Sequence, residues 1–231
     1  MNELYWIVLL ILDFIAIMVA FRLWGKLGLY IWVPISIIVA NIQVTKTISL
    51  FGLEATLGNI VYATSFLATD ILSEFFGEKA SKKAVAIGFF SLLSMTVLMQ
   101  VALLFEPSSS DIAQGALSTV FGLMPRIAAG SLIAYVLSNY HDILAFSFWK
   151  KRKPGRNTLW LRNNLSTFVS QAIDTLVFTL IAFWGVYPKE VLIQIMISTY
   201  VLKWAVALCD TPFIYLARHW VESGKIEEIT S

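Results

Sequence analysis

Long apolar stretches alternate with short polar segments along the whole chain. Residues 84–105 carry no charged side chain, and neither do residues 27–45. A helix that crosses a lipid bilayer needs about 20 mainly apolar residues, so each stretch is long enough for one crossing. The pattern predicts seven membrane-spanning helices, at residues 4–22, 29–50, 57–76, 83–105, 120–145, 163–185 and 190–217.

The composition agrees with a protein that lies in a membrane. Of the 231 residues, 58% are hydrophobic and 14% are charged, whereas soluble domains have about 45–50% and about 25%. Cys209 is the one cysteine, which excludes an internal disulfide and a cysteine-rich metal site. The chain also lacks the H-E-x-x-H and G-x-S-x-G patterns of common hydrolases. We therefore expect an all-α integral membrane protein that is not an enzyme and has no catalytic residues, metal or cofactor.

The basic residues predict the orientation of the helices. If the N-terminus lies outside the cell, 13 of the 17 basic residues fall in four cytoplasmic regions, at 22–26, 79–83, 150–162 and 218–225. Only Lys189 falls in an external loop. Cytoplasmic loops concentrate Lys and Arg, so we expect a multi-pass protein of the inner (plasma) membrane with a cytoplasmic C-terminus. The basic run at 150–156 then marks topology, and we expect no nucleic-acid partner.

Polar residues from four predicted helices share one depth. At about 1.5 Å per residue, one layer near the bilayer midplane contains Asn41, Asp70, Gln171, Asp174 and Lys203. Charged groups at that depth are costly and usually face a cavity or a partner. The layer predicts a polar cavity, although Lys203 can equally be a structural partner of Asp174 or Asp70, and the amides can simply join helices.

Further polar and aromatic residues lie near this layer, some of them on the same helix faces. Glu74 follows Asp70 by about one helical turn and shares its face. Asp210 lies on one stripe with Lys203, and Pro212, two residues later, predicts a broken helix. Lys46 lies nearer the outer end of its helix. Phe178 and Trp204 add aromatic rings.

Acidic, basic, amide and aromatic groups together suit a small planar heterocycle. A carboxylate can accept two N–H groups from a guanine-like edge, a lysine or amide can donate to its carbonyl, and aromatic rings can stack on its faces. A sugar or an amino acid fits the same set of groups. The residue types therefore predict a small polar ligand without identifying it.

Five segments of the chain resemble the queuosine precursor transporter family, also called the vitamin uptake transporter family. They are ANIQVTK (40–46), FLATDILSEFFGEKASKKAV (66–85), PRIAAGSLIAYVLSNYHDILAFSFWK (125–150), LRNNLSTFVSQAIDTLVFTLIAFWG (161–185) and YVLKWAV (200–206). The resemblance implies a membrane transporter that imports 7-cyano-7-deazaguanine, 7-aminomethyl-7-deazaguanine and, in some members, queuine.

The resemblance also assigns residues and boundaries. It places Asn41, Asp70, Arg126, Asp142, Asp174 and Lys203 on polar positions of the family, whereas the positions of Glu74 and Gln171 differ among members. Members typically have about six spans. We therefore expect residues 29–217 to form a six-helix transporter core, with an accessory helix and loop at 1–28 and a cytoplasmic tail at 218–231. Spans two to four and five to seven can form a 3+3 inverted repeat.

These observations give two sets of candidate residues and two functions. The predicted substrate-binding residues are Asn41, Asp70, Glu74, Gln171, Asp174 and Lys203. The predicted accessory residues are Lys46, Arg126, Asp142, Phe178, Trp204 and Asp210. The alternative function is the substrate-binding subunit of an ATP-driven vitamin or nucleobase importer. The expected partners are a 7-deazaguanine base, the bilayer and a second copy in a homodimer.

Overall fold

The fold is a bundle of helices with one short hairpin. The structure is a computed structural model that describes residues 1–152 and 159–226, and it describes all side chains there except those of 139, 142–147, 149–152 and 159–167. In chain order the elements are α1 (Asn2–Gln43), β1 (Thr47–Leu50), β2 (Leu53–Thr56), α2 (Asn59–Phe76), α3 (Glu78–Ala102), α4 (Gln114–Phe121), α5 (Met124–Arg152), α6 (Leu159–Phe183) and α7 (Lys189–Glu222).

The helix α1 consists of two segments joined by a sharp bend at Gly25. Gly25 has φ 51° and ψ −130°, far from helical values. A Cβ atom added at Gly28 would lie 2.0 Å from the carbonyl oxygen of Ala20. Eight residues of straight helix would separate these positions by about 12 Å, so the second segment folds back on the first. The two segments correspond to the first two predicted spans.

The predicted second span, 29–50, extends beyond the end of the observed helix. Helix α1 ends at Gln43, and residues 47–50 pair in an antiparallel hairpin with residues 53–56. The two loop residues, Phe51 and Gly52, have positive φ of 50° and 80°, as in the two-residue turns that match strand twist. Thr47 and Ile48 are β-branched and favour a strand, which explains why the helix does not continue.

The remaining predicted spans correspond to helices with shifted ends. The predicted span 120–145 is divided, because α4 ends at Phe121 and α5 begins at Met124. Pro125 lies in the first turn of α5, where a missing N–H costs no helical bond. The predicted break at Pro212 is wrong, since α7 continues through that residue. The hydrogen bonds on either side of a proline can hold a transmembrane helix together.

The surface of the bundle identifies it as a membrane protein. Within the described residues, four helical stretches are long and apolar enough to cross a membrane: Asn2–Gln43, Glu78–Ala102, Gln114–Ser138 and Lys189–Glu222. Many large apolar side chains are exposed, including Leu4, Ile7, Val8 and Ile11 on α1. Exposing such an apolar surface to water would cost free energy, whereas contact with lipid tails does not. The expectation of an all-α integral membrane protein is confirmed.

The first segment of α1 packs into the bundle through a buried stripe. Leu10, Phe14 and Phe21 are buried, and Phe14 stacks on Phe213 of α7 with ring centroids 4.5 Å apart. Asp13, on the same face, accepts a hydrogen bond from Thr64 of α2 at 3.2 Å. The division of the chain at residue 28 and the inverted repeat stay predictions.

The close contact at Gly28 can be tested by adding one methyl group. We expect Gly28→Ala to lower the free energy of unfolding by about 1–3 kcal/mol, because the new Cβ meets a backbone oxygen that cannot move aside. The matched control is Gly115→Ala on α4, where a Cβ meets nothing within 4 Å. Thermal unfolding of both variants in detergent measures the difference. Equal midpoints would contradict the folded-back arrangement of α1.

Candidate functional site

A small cavity lies between five helices in the interior of the bundle. The residues that line it come from α1, α2, α5, α6 and α7 and from the segments directly after α1 and directly before α2. They are Ala40, Asn41, Val44, Gly58, Asn59, Tyr62, Ser131, Ala134, Asp174, Phe178, Thr199 and Lys203.

An ion pair between α6 and α7 forms one wall of this cavity. The Nζ atom of Lys203 lies 2.5 Å from Oδ2 of Asp174, with side-chain exposures of 7% and 10%. The same ammonium lies 3.4 Å from Oγ1 of Thr175 and 5.2 Å from the ring centroid of Tyr62. These two residues carry opposite charges, and no other Asp, Glu, Lys or Arg is among the described residues that line the cavity. The cavity is therefore polar but has no net charge.

Two hydrogen bonds connect helices around the cavity. Asn41 accepts a bond from Ser131 of α5 at 2.8 Å, and its amide donates to the carbonyl of Ile37 at 2.7 Å. Asn59, at the start of α2, donates to Thr199 of α7 at 2.8 Å. Each residue satisfies a buried polar group of another. The bonds fix the helices while leaving polar atoms on the cavity wall.

The aromatic residues divide between the cavity and its surroundings. Tyr62 and Phe178 line the cavity. Trp204 does not, and packs with Phe168 at 5.5 Å and Tyr200 at 6.5 Å between ring centroids. Of the two predicted accessory rings, Phe178 therefore has access to a ligand in the cavity, and Trp204 belongs to a neighbouring cluster.

A second concavity, which we call the acidic cleft, lies between α2 and α7. It is lined by Asp70, Glu74, Asp210 and Arg218 together with Ser73, Phe75, Thr211, Ile214 and Tyr215, and its volume is about 460 Å³. Glu74 accepts a hydrogen bond from Arg218 at 2.6 Å. The structure therefore does not bring Asp70 and Glu74 into the cavity that holds Asp174 and Lys203. Asp210 joins them in the cleft.

Of the other predicted residues, Gln171, Lys46 and Arg126 line neither concavity. Gln171 is half-buried, and its Oε1 atom has no hydrogen-bond partner among the described residues. Lys46 directly precedes β1, and its carbonyl accepts a bond from Leu57. Arg126 donates to the carbonyls of Ile181 and Trp184 at 2.8–3.2 Å, which caps the C-terminal end of α6. The side chain of Asp142 lies outside the described residues.

Four lining residues carry polar groups that the sequence analysis did not single out: Asn59, Tyr62, Ser131 and Thr199. Thr199 precedes Lys203 by one helical turn, and Asn59 and Tyr62 are three residues apart on α2, so helical phase alone places each pair on one face. Neutral polar residues are common in membrane helices. They therefore give no signal as strong as an intramembrane charge.

In the part of the chain that the structure describes, no group of three or more His, Cys, Asp or Glu side chains could hold a metal ion. The groups that line the cavity are instead hydrogen-bond donors and acceptors beside aromatic rings. This arrangement suits recognition of a small organic molecule.

Comparisons with known proteins give consistent descriptions. Residues 56–217 match a family model described as "Putative vitamin uptake transporter". The chain is 47% identical over 97% of its length to a "Probable queuosine precursor transporter" of Bacillus subtilis (strain 168), of which 98% is covered. It is 27% identical over 81% of its length to the "Queuosine precursor transporter" of Escherichia coli (strain K12), of which 71% is covered. No solved structure matches the chain.

Removing one charge of the buried pair should destabilise the protein. We expect Lys203→Met to lower the free energy of unfolding by about 3–5 kcal/mol, because Asp174 is then buried without its partner. Adding Asp174→Leu to this variant should recover most of the loss. Lys82→Met is the control, since Lys82 pairs with Glu78 at 2.6 Å on the exposed surface and such pairs contribute about 0–1 kcal/mol. Thermal unfolding in detergent measures all three, and similar losses for Lys203→Met and Lys82→Met would contradict a buried pair.

Proposed function

The chain belongs to the vitamin uptake transporter family, and from this premise we propose that it imports queuosine precursors, the 7-deazaguanine bases. The family is one of transporters, so the chain is a membrane transporter and not an enzyme. The observation that carries the proposal is the buried Lys203–Asp174 pair on the wall of an interior cavity. We propose that the base binds there.

The ion pair offers complementary groups to a guanine-like edge. The base presents N–H donors beside a carbonyl acceptor. Asp174 can accept from the donors, and Lys203, 2.5 Å from it, can donate to the carbonyl. The two charges already partner each other, so a ligand with donors and an acceptor side by side can bond to both without separating them. The pair therefore favours a ligand with both kinds of group.

The remaining walls suit the faces of a bicyclic ring. Tyr62 and Phe178 line the cavity, and aromatic rings bind flat heterocycles by offset or edge-to-face contacts. Asn41 and Asn59 supply amide groups at the same level. We propose that Asn41, Asp174 and Lys203 bind the edge of the base, with Tyr62 and Phe178 on its faces.

The neutral charge of the cavity favours an uncharged base. Asp174 and Lys203 already balance each other, so the aminomethyl cation of 7-aminomethyl-7-deazaguanine would add an uncompensated positive charge. The cyano group of 7-cyano-7-deazaguanine adds none. We therefore propose that the cyano base is preferred, and that Glu74, which pairs with Arg218 outside the cavity, does not bind the substrate there.

The location and orientation follow the basic residues. We propose that the protein lies in the inner (plasma) membrane with its N-terminus outside and its C-terminus in the cytoplasm. Lys79, Lys82 and Lys83 follow the end of α2 that carries Glu74, so the acidic cleft lies toward the cytoplasm in this orientation. A homodimer is part of the same proposal.

Ligand binding can be measured by thermal stabilisation, because a ligand that binds only the folded state raises its stability. We expect 7-cyano-7-deazaguanine at saturating concentration to raise the unfolding midpoint of the wild type more than the aminomethyl base does. Asp174→Asn should lose the shift relative to its own ligand-free midpoint. Asp210→Asn, in the acidic cleft, is the control and should keep it. A full shift in Asp174→Asn would contradict binding at the ion pair.

Transport by the chain alone separates the proposal from the alternative of an importer subunit. We expect the purified chain in liposomes to take up labelled 7-cyano-7-deazaguanine without any ATPase. Phe178→Ala should lower the uptake, because a face of the base loses its contact, and Ile112→Ala is the control, since Ile112 is almost fully exposed. Binding without uptake, together with uptake in the presence of a partner ATPase, would favour the subunit.

A further inference from the structure

The cavity and the acidic cleft lie at successive levels along the same two helices. On α2, Tyr62 lines the cavity and Asp70 lines the cleft, eight residues further on. On α7, Lys203 lines the cavity and Asp210 lines the cleft. At 1.5 Å per residue these separations are about 12 Å and about 10 Å. The two levels are thus about two helical turns apart, and a substrate that moved from the cavity along α2 and α7 would reach the cleft next.

An ion pair joins the two helices at the far end of the cleft. Arg218 of α7 lies 2.6 Å from Glu74 of α2, and both side chains are about half exposed. Arg218 also lies 4.0 Å from Glu222 on its own helix, so Glu74 is the group that links it to α2. The pair lies at the end of α2 that precedes Lys79, Lys82 and Lys83.

Pro212 lies on α7 at the level of the cleft, between Asp210 and Arg218. A proline removes one helical hydrogen bond, and such positions are common sites of helix bending. The part of α7 that precedes Pro212 is held to α6 by the ion pair of Lys203 with Asp174. Bending at Pro212 would therefore move Arg218 away from Glu74 while the cavity wall stays in place.

We propose that Glu74 and Arg218 form a latch that closes one end of the transport path and that opens by bending of α7 at Pro212. The proposal rests on the proposed function in taking the cavity as the substrate site. The base passes from the cavity into the cleft when the latch is open. The latch itself does not bind the base.

The first experiment measures access to the cavity without any substrate. Ser131→Cys, in a Cys209→Ser background, places one thiol in the cavity, and a membrane-impermeant thiol reagent is added to vesicles that expose the end with Lys79, Lys82 and Lys83. We expect Glu74→Gln and Arg218→Gln each to raise the labelling rate about 1.5- to 5-fold, the range of an exposed ion pair. The double variant should label no faster than either single variant, because both remove the same interaction.

The matched control is the Glu78–Lys82 pair on α3. It has the same 2.6 Å distance and is exposed, but it joins one helix to itself. Glu78→Gln and Lys82→Gln should leave the labelling rate unchanged. Equal rates for the wild type and both latch variants would overturn the proposal, as would independent, multiplying effects of the two latch substitutions.

The second experiment closes the latch covalently. Glu74→Cys with Arg218→Cys, in the Cys209→Ser background, is treated with a short bifunctional methanethiosulfonate, which joins the two thiols through disulfide bonds that reduction breaks. We expect at least a tenfold loss of 7-cyano-7-deazaguanine uptake, recovery after reduction, and unchanged thermal stabilisation by the base. The control crosslink, Glu78→Cys with Lys82→Cys, should leave uptake intact. Full uptake by the crosslinked Glu74→Cys, Arg218→Cys variant would overturn the proposal of a latch.

The two proposals fail in different ways. If the wild type neither binds nor transports the base, the proposed function is wrong, and the labelling experiment still decides the latch. If the base binds and is transported at the same rate with the latch crosslinked, only the latch is wrong.

Discussion

The buried pair of Lys203 and Asp174 is the constraint on which the rest of the site depends. A charge inside a bilayer needs a partner or water, and these two residues lie on different helices. Their 2.5 Å contact therefore fixes the relative position of α6 and α7. The bonds of Asn41 with Ser131 and of Asn59 with Thr199 fix α1 to α5 and α2 to α7 at the same level. The cavity exists where these three interactions surround space that no side chain fills.

The acidic cleft differs from the cavity in the charges of the residues that line it. Asp70 is exposed, and Asp70 and Asp210 both line the cleft. Glu74 finds its partner in Arg218 on the neighbouring helix. The level of the cavity thus holds two opposite charges in one buried pair, whereas the level of the cleft holds three acidic residues beside Arg218. Both levels are built on α2 and α7, which makes this helix pair the structural link between them.

The sequence predicted part of this arrangement and missed the rest for identifiable reasons. Counting residues along each helix placed Asp174 and Lys203 together correctly, because both lie near the middle of long, regular helices. The same count placed Asp70 beside them, because it took the start of α2 as the membrane surface, whereas Asn59, at the start of α2, already lines the cavity. Tyr62 and Thr199 are neutral and gave no charge signal. Residues 47–50 appeared to continue an apolar span, although Phe51 and Gly52 turn the chain into a hairpin.

The hairpin of β1 and β2 connects α1 to α2 beside the cavity. Its strand β2 packs on α7, where the backbone N–H of Glu54 donates to Gln194 and its carbonyl accepts a bond from Ser198. Strand β1 is held to the start of α1 by Asn2. Val44 and Gly58, which flank the hairpin, both line the cavity. A helix continued to residue 50 would have left no short return to α2, so the strand pair allows α1 and α2 to meet beside the ion pair.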